Sequence, residues 1–248
     1  MYAIRRFFVN VLCAFIINKP LRKKVRVLLN SNVVGYIRFI KRDLHQKKLK
    51  RIKTFIGYGA RSLIISVDKQ FVYKFPLRRD DANELARREK RIVDVFSCIS
   101  PIYIPDVELL AMGKNIVRKY KYIDGVTLSQ VSGEDVLPHI KNIAPQIARF
   151  IYDIGMCDPI KLRDLKPNKN AKPAYRFGWC HGDIADNFII DRNTFKVIAF
   201  IDWEDAAFGD FTNVFTKDKR SPRRELMTAV SREYDKLYKA NKNIKKSR

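Results

Sequence analysis

No stretch of this 248-residue sequence is apolar for long enough to cross a bilayer as a helix. The apolar run FFVNVLCAFII, Phe7 to Ile17, covers eleven residues, where about 20 are needed. Lys19, Pro20 and a basic cluster come after it, where a secretory signal would have a small-residue cleavage site. Paired cysteines are missing as well: Cys13, Cys98, Cys157 and Cys180 stand singly, with no C-x-x-C, which excludes a zinc ribbon or a disulfide framework and fits a reducing compartment. Histidine is confined to His45, His139 and His181, too few for a multi-histidine metal centre. Acid is scarce: 26 Asp and Glu stand against 50 Lys and Arg, a formal charge of +24. Such a balance calls for anionic surroundings, whether a phosphorylated substrate, nucleic acid or an acidic membrane face. No internal repeat is evident. What is present is ordinary globular material, 46% hydrophobic and 31% charged, on a chain long enough to bury a substantial core as one domain or two lobes.

The charge is concentrated at the front. Residues 1–53 carry fifteen Lys or Arg and a single acid, Asp43. Residues 1–50 are therefore set apart as a basic amphipathic segment, with Phe7 to Ile17 inserted into an anionic membrane surface and Lys and Arg on the headgroups. A helix packed on the domain with a solvated basic face, and an RNA-binding arm, are the competing readings.

From residue 51 the pattern changes. TFIGYGARSLIISVDKQFVYKFP holds short runs rich in Ile, Val, Phe and Tyr, broken at Gly57 and Gly59 and again at Asp68 to Gln70, as three antiparallel strands would be. RDDANELARREKRIVDVF starts acidic and repeats apolar residues at Leu85, Ile92, Val93 and Phe96, as a helix does. VELLAMG and NIVRKYKYI read as two further strands, closing this part near residue 123. Gly133 to Cys157 reads as mostly helical, RDLKPNKNAKPAYR as an exposed loop, and FIID with VIAFID as a buried hairpin. Leu226, Val230, Tyr234 and Leu237 form a helical stripe in the tail.

Into this order falls WCHGDIADNFIID, and after it IDWEDAAFGD from Ile201 to Asp210. These residues resemble the aminoglycoside phosphotransferase and choline kinase group of the protein-kinase-like fold. The resemblance is strongest over residues 177–210, weaker over 53–128 and absent from 1–50. It implies an α+β, bilobal protein-kinase-like fold: a small antiparallel-sheet N-lobe over 51–123 and a mostly helical C-lobe with the catalytic loop over 124–248. The activity it implies is ATP-dependent phosphotransfer to a hydroxyl, with ATP and Mg2+ as cofactors. Such chemistry needs a positioned hydroxyl and a charge-neutralised triphosphate more than it needs covalent help.

On that resemblance Asp183 orients the hydroxyl or accepts its proton, and His181 braces the loop. Asp202 and Asn187 hold the metal. Lys74 reaches the nucleotide phosphates and pairs with Glu89, Glu84 being the other candidate partner. Gly57 and Gly59 form the turn over the phosphates, and Tyr120 to Ile123 face the adenine. Glu204, Asp205 and Asp210 have a plainer reading as caps or surface acids, preferred for Glu204 and Asp205. One departure stands out: Asn187 comes four residues after Asp183 where the family usually has five. Either the tightened loop still brings the amide to the metal, or Asp186 substitutes for it, or the loop has lost competence. The basic front joined to this site suggests an anionic acceptor presented at the inner face of a bacterial membrane, such as a lipid-linked or lipopolysaccharide-type glycan, with the protein peripheral on the cytoplasmic side. A non-catalytic kinase-like module binding nucleotide or a partner at the membrane is the alternative. No specific nucleic-acid partner is expected, because no groove-reading or base-stacking motif is present.

Overall fold

The computed structural model describes residues 9, 13, 16–56, 61–77, 80–166, 175–215 and 223–246. Two compact units emerge: Met1–Ala86 with Glu108–Tyr122, and Arg87–Val107 with Ile123–Arg248. No helix of the described residues is long and apolar enough to cross a membrane.

The first unit is built on an antiparallel sheet. Helices α1 (Lys19–Asn30) and α2 (Val33–Asp43) precede the strands β1 (Ile52–Ile56), β2 (Ser62–Val67) and β3 (Phe71–Pro76). After α3 (Ala82–Phe96) come β4 (Glu108–Met112) and β5 (Asn115–Lys121), giving the order β1-β2-β3-β5-β4. Both front helices start on an asparagine cap: Asn18 accepts from the Leu21 N–H and Asn32 from the Gly35 N–H, each at 3.0 Å.

Alternation gives the sheet two different faces. Leu63, Ile65, Val67, Tyr73, Phe75 and Val117 form one face, covered by Tyr36, Phe39 and Ile40 of α2. Tyr36 stacks on Phe75 with ring centroids 4.2 Å apart, and Phe39 meets the same ring edge-on. At the end of α2, Asp43 accepts from the Tyr73 hydroxyl at 2.6 Å and pairs with Lys119 at 3.0 Å. Thus α2 is a helix packed on the sheet, and Arg38 and Arg42 form its exposed side.

The second unit has a helical body with two small sheets. A short turn, β6 (Val126–Thr127), leads through α4 (Gly133–Val136) to α5 (Ile140–Gly155). Next come β7 (Phe177–Cys180), β8 (Phe188–Ile190), β9 (Val197–Phe200), β10 (Ala207–Asp210) and α6 (Arg223–Lys246). The expected hairpin is β8 paired with β9, extended by β6, while β7 pairs with β10. Its core is aromatic: Phe150 stacks on Phe200 at 3.7 Å, and Phe96 meets both Trp179 and Trp203 at 5.7 Å.

The segment expected as an exposed loop differs at its front. Ile160–Leu165 is a 3-10 helix with Leu162 buried. Lys166 is 4% exposed, ion-paired with Asp158, and its ammonium lies 4.2 Å from the Phe208 ring centre. A lysine buries this way when a carboxylate and an aromatic face replace its water. Residues 167–174 lie outside the described residues.

Candidate active site

In the first unit the sheet face not covered by α2 carries polar and charged residues among apolar ones. Lys74 of β3 lies directly opposite Arg118 of β5, so the two side chains share that face. Both are buried, at 5% and 3% exposure. Lys74 is therefore not the solvated edge residue that a lone strand lysine commonly is. Arg118, which the sequence reading did not single out, is its neighbour in register. Tyr120 lies two residues further along the same face, opposite Val72. Gly57 and Gly59 lie outside the described residues. Ile123 comes after β5 and falls in the second unit, half-buried.

Glu89, His181, Asp183, Asn187 and Asp202 belong to the second unit. β7 delivers the chain to His181, Gly182 and Asp183, and its pairing with β10 fixes where that loop begins. His181 is 1% exposed, and its Nε2 lies 2.8 Å from the Ile201 carbonyl oxygen. Burial lowers its pKa, opposed by the Ile201 hydrogen bond and by the charges of Asp202, Asp183 and Asp205. The ring is thus a neutral donor that ties the loop to the end of β9, a bracing geometry. Gly182 has φ +86°, and a Cβ there would stand 2.4 Å from the Asp205 carbonyl oxygen. Only glycine meets both conditions.

The shortened loop closes on Asn187. Its side-chain amide donates to the Asp183 carbonyl at 2.8 Å, its own N–H donates to the Ile184 carbonyl at 3.3 Å, and its carbonyl accepts from the Ile201 N–H at 2.8 Å. With the amide nitrogen committed to Asp183, the amide oxygen is the side chain's remaining polar atom. Asp186, the competing candidate, is ion-paired with Arg223 in the first turn of α6. Asp183 itself is half-buried.

Asp202 comes just after β9 with φ 63° and ψ 67°, a left-handed conformation uncommon for a non-glycine residue, though aspartate tolerates it better than most. Two residues of α3 hold the turn that follows it. The Trp203 N–H donates to Glu89 Oε1 at 3.2 Å, and the Arg88 guanidinium donates to the carbonyls of Glu204, at 3.1 Å, and of Ala206. The carboxylates of Glu89, Asp202 and Glu204 come within 4.8 Å of one another. Glu89 is wholly buried and Glu204 is 7% exposed. Glu204 therefore departs from the surface or cap reading; it is buried because the turn after Asp202 brings it inward against α3. Asp205 is exposed, and Asp210 caps the Thr212 N–H at 2.8 Å. Lys74 and Glu89 belong to different units.

The donor chemistry suits a hard cation. Asp202 and Asn187 offer carboxylate and amide oxygens, the type that magnesium takes from a protein while water and phosphate complete its shell. The adjacent Cys180 is no competitor: burial pushes its thiol up to about 11, so it stays protonated.

Residues 159–213 match the sequence profile of the phosphotransferase enzyme family. No curated protein sequence matches the chain. Among solved structures, the GDP complex of wild-type aminoglycoside 2'-phosphotransferase-IIIa is similar, with TM-score 0.63 and 17% identity over 83% of this chain and 83% of that one. The streptomycin–ATP ternary complex of APH(2")-IIa aligns at TM-score 0.59 and 18% identity, covering 83% and 84%. The macrolide 2'-phosphotransferase MphH from Brachybacterium faecium aligns at 0.52 and 16%, covering 80% and 83%. The chain thus has the kinase-like α+β fold of these proteins; at such identities the likeness speaks for fold alone.

Proposed function

We propose that the protein is an ATP-dependent phosphotransferase that places the γ-phosphoryl group on a hydroxyl. The observation that carries this reading is the pairing of a left-handed Asp202 with a loop in which Asn187 is hydrogen-bonded back to Asp183. That backbone conformation costs about 1–3 kcal/mol and holds the carboxylate just beyond the end of β9.

Asp183 orients the acceptor hydroxyl and takes its proton as the oxygen bonds to the γ-phosphorus and the bond to the leaving ADP oxygen breaks. His181, neutral and tied to Ile201, holds Asp183 at the head of the loop. Asp202 and the Asn187 amide oxygen are the residues to hold Mg2+, which supplies charge neutralisation at the phosphates when bound. Lys74 contacts the nucleotide phosphates, and Arg118 beside it adds a second cation to that face. The four-residue spacing from Asp183 to Asn187 was the feature favouring a non-catalytic module; a loop that returns the amide to the Asp183 carbonyl weakens that alternative.

For the acceptor, the excess of 50 basic over 26 acidic residues favours an anionic molecule. An already phosphorylated sugar hydroxyl, lipid-linked and presented at a membrane, fits this balance better than a cationic antibiotic. The test is transfer of labelled phosphate from ATP to membrane extracts by wild type and Asp183→Asn. A labelled product that depends on Asp183 is expected. Equal, slow ATP consumption by both, without product, would make the loop a scaffold.

A further inference from the structure

We propose that the outward side of α1, with the turn into α2, is a docking surface for an anionic lipid bilayer. This deepens the membrane-presented acceptor proposed above and moves the contact to different residues. Of Phe7 to Ile17, the run that the sequence suggested would insert, Val9 and Cys13 are buried, at 6% and 0% exposure. Residues 7, 8, 10–12, 14 and 15 lie outside the described residues. The exposed apolar groups begin at the last residue of that run and continue beyond it: Ile17 is 91% exposed, Leu21 51%, Leu29 41% and Val34 64%.

Helical geometry organises them. At about 100° per residue, Leu28, Leu21, Val25 and Leu29 fall in an arc about 100° wide on α1. Leu28, at one border, packs toward the core cluster beneath the sheet. Leu21 and Leu29 carry the apolar arc outward, and Ile17 and Val34 extend it at either end. Lys24 flanks this arc on one side and Arg22, Arg26 and Lys19 on the other. Such placement lets long cationic side chains reach headgroups while aliphatic groups enter the acyl boundary. Single exposed aliphatics are ordinary. Here four of them fall within residues 17–34, a stretch with no acid, the first being Asp43, already engaged by Tyr73 and Lys119.

The chemistry selects lipid over the other anionic partners. A nucleic acid would satisfy the cations but gain nothing from exposed Ile, Leu and Val. Among the described residues of α1 and α2 the aromatics, Tyr36 and Phe39, are in the core and offer no exposed ring for bases to stack on. A second copy of the chain would bring the same cations against themselves.

The experiment is flotation of the full chain with vesicles of phosphatidylcholine alone and of phosphatidylcholine mixed equally with phosphatidylglycerol. Wild type is expected to float with the anionic vesicles only, and to be released by salt. Replacing Lys19, Lys24 and Arg26 together by Gln is expected to weaken binding by about a hundredfold, at about fivefold per cation. Leu21→Glu and Leu29→Glu, each at an exposed position, are expected to weaken it by about tenfold each with an unchanged melting temperature. Val34→Glu, on the more exposed side chain, is the companion variant should either leucine change alter folding. Wild-type affinity in the charge variant or in the Leu21→Glu, Leu29→Glu double variant, equal binding to both vesicles, or preference for single-stranded RNA over anionic vesicles overturns the proposal. Phosphate transfer to detergent-solubilised extract separates this from catalysis. A chain that floats but transfers nothing keeps the docking surface and loses the phosphotransferase reading; one that transfers but does not float does the reverse.

Discussion

Gly182→Ala puts the geometry of the His181–Asp183 loop under direct strain. Alanine at φ +86° enters the left-handed region, at about 1–2 kcal/mol. Its Cβ would stand 2.4 Å from the Asp205 carbonyl oxygen and 3.0 Å from the carbonyl carbon, both backbone atoms. Neither can swing away as the end of a side chain would, so the clash adds about 1–3 kcal/mol as the His181–Asp183 loop and the Trp203–Asp205 turn move apart. Together this is about 3 kcal/mol, and for a chain of this size it lowers the Tm by about 6–12 °C. The control is Gly209→Ala in β10 of the same unit, where nothing lies within 4 Å of the added Cβ; its Tm should move by about 2 °C at most. Calorimetry of wild type and both variants reads the difference. A Gly182→Ala protein that melts within about 2 °C of the Gly209→Ala protein would refute the close approach of the two segments, and with it the argument that glycine is obligatory between His181 and Asp183.

Asp183→Asn should retain Mg-ATP affinity while turnover falls by a factor on the order of hundreds or more; Asp202→Asn should weaken the magnesium-dependent part of nucleotide binding as well, and titration calorimetry with and without the ion separates the two. Asn187→Ala should resemble a mild form of the Asp202 change, whereas Asp186→Ala should leave metal dependence unaltered and lower stability through loss of the Arg223 pair; the opposite pattern in the same titrations would move the ligand to Asp186. His181 is held neutral by burial, so its folded pKa lies below the unfolded value of about 6.5. The unfolded chain then binds more protons, and the stability this residue contributes is complete above about pH 6.5 and declines as pH falls below it; denaturant melts of wild type and His181→Gln over that range should converge toward acid.

The order of elements was legible in the sequence because it rests on local physics. Period-two runs around Lys74 and Arg118, the acidic start of α3 and the stripe through Leu226, Val230 and Tyr234 each declare an element without reference to the rest of the chain. Arg118 was within reach of the same reasoning: alternation through NIVRKYKYI puts Ile116, Arg118 and Tyr120 on one face. Other features had no local signal. Glu204 looks like a surface acid in WEDAA, and only the turn after Asp202, held by Glu89 and Arg88 more than a hundred residues away in sequence, makes it a buried one.

What the sequence by itself determined is the kind of chemistry that could be present: a His-x-Asp loop, an asparagine set one residue short, and an Asp at the end of a strand. It also determined the net charge that any partner meets, since no folding can change 50 cations against 26 anions. What only the tertiary structure decided is which atoms meet. Whether a four-residue spacing brings an amide back to the Asp183 carbonyl depends on the turn at Ile184 and the pairing of Asn187 with Ile201, both long-range or conformational facts. Which apolar groups in a basic front are core and which stay exposed likewise depends on the sheet beneath: Tyr36, Phe39 and Leu28 pack toward it, while Leu21, Leu29 and Val34 stay exposed. Hydrophobicity is written residue by residue, but burial is a property of the surface that the whole chain builds.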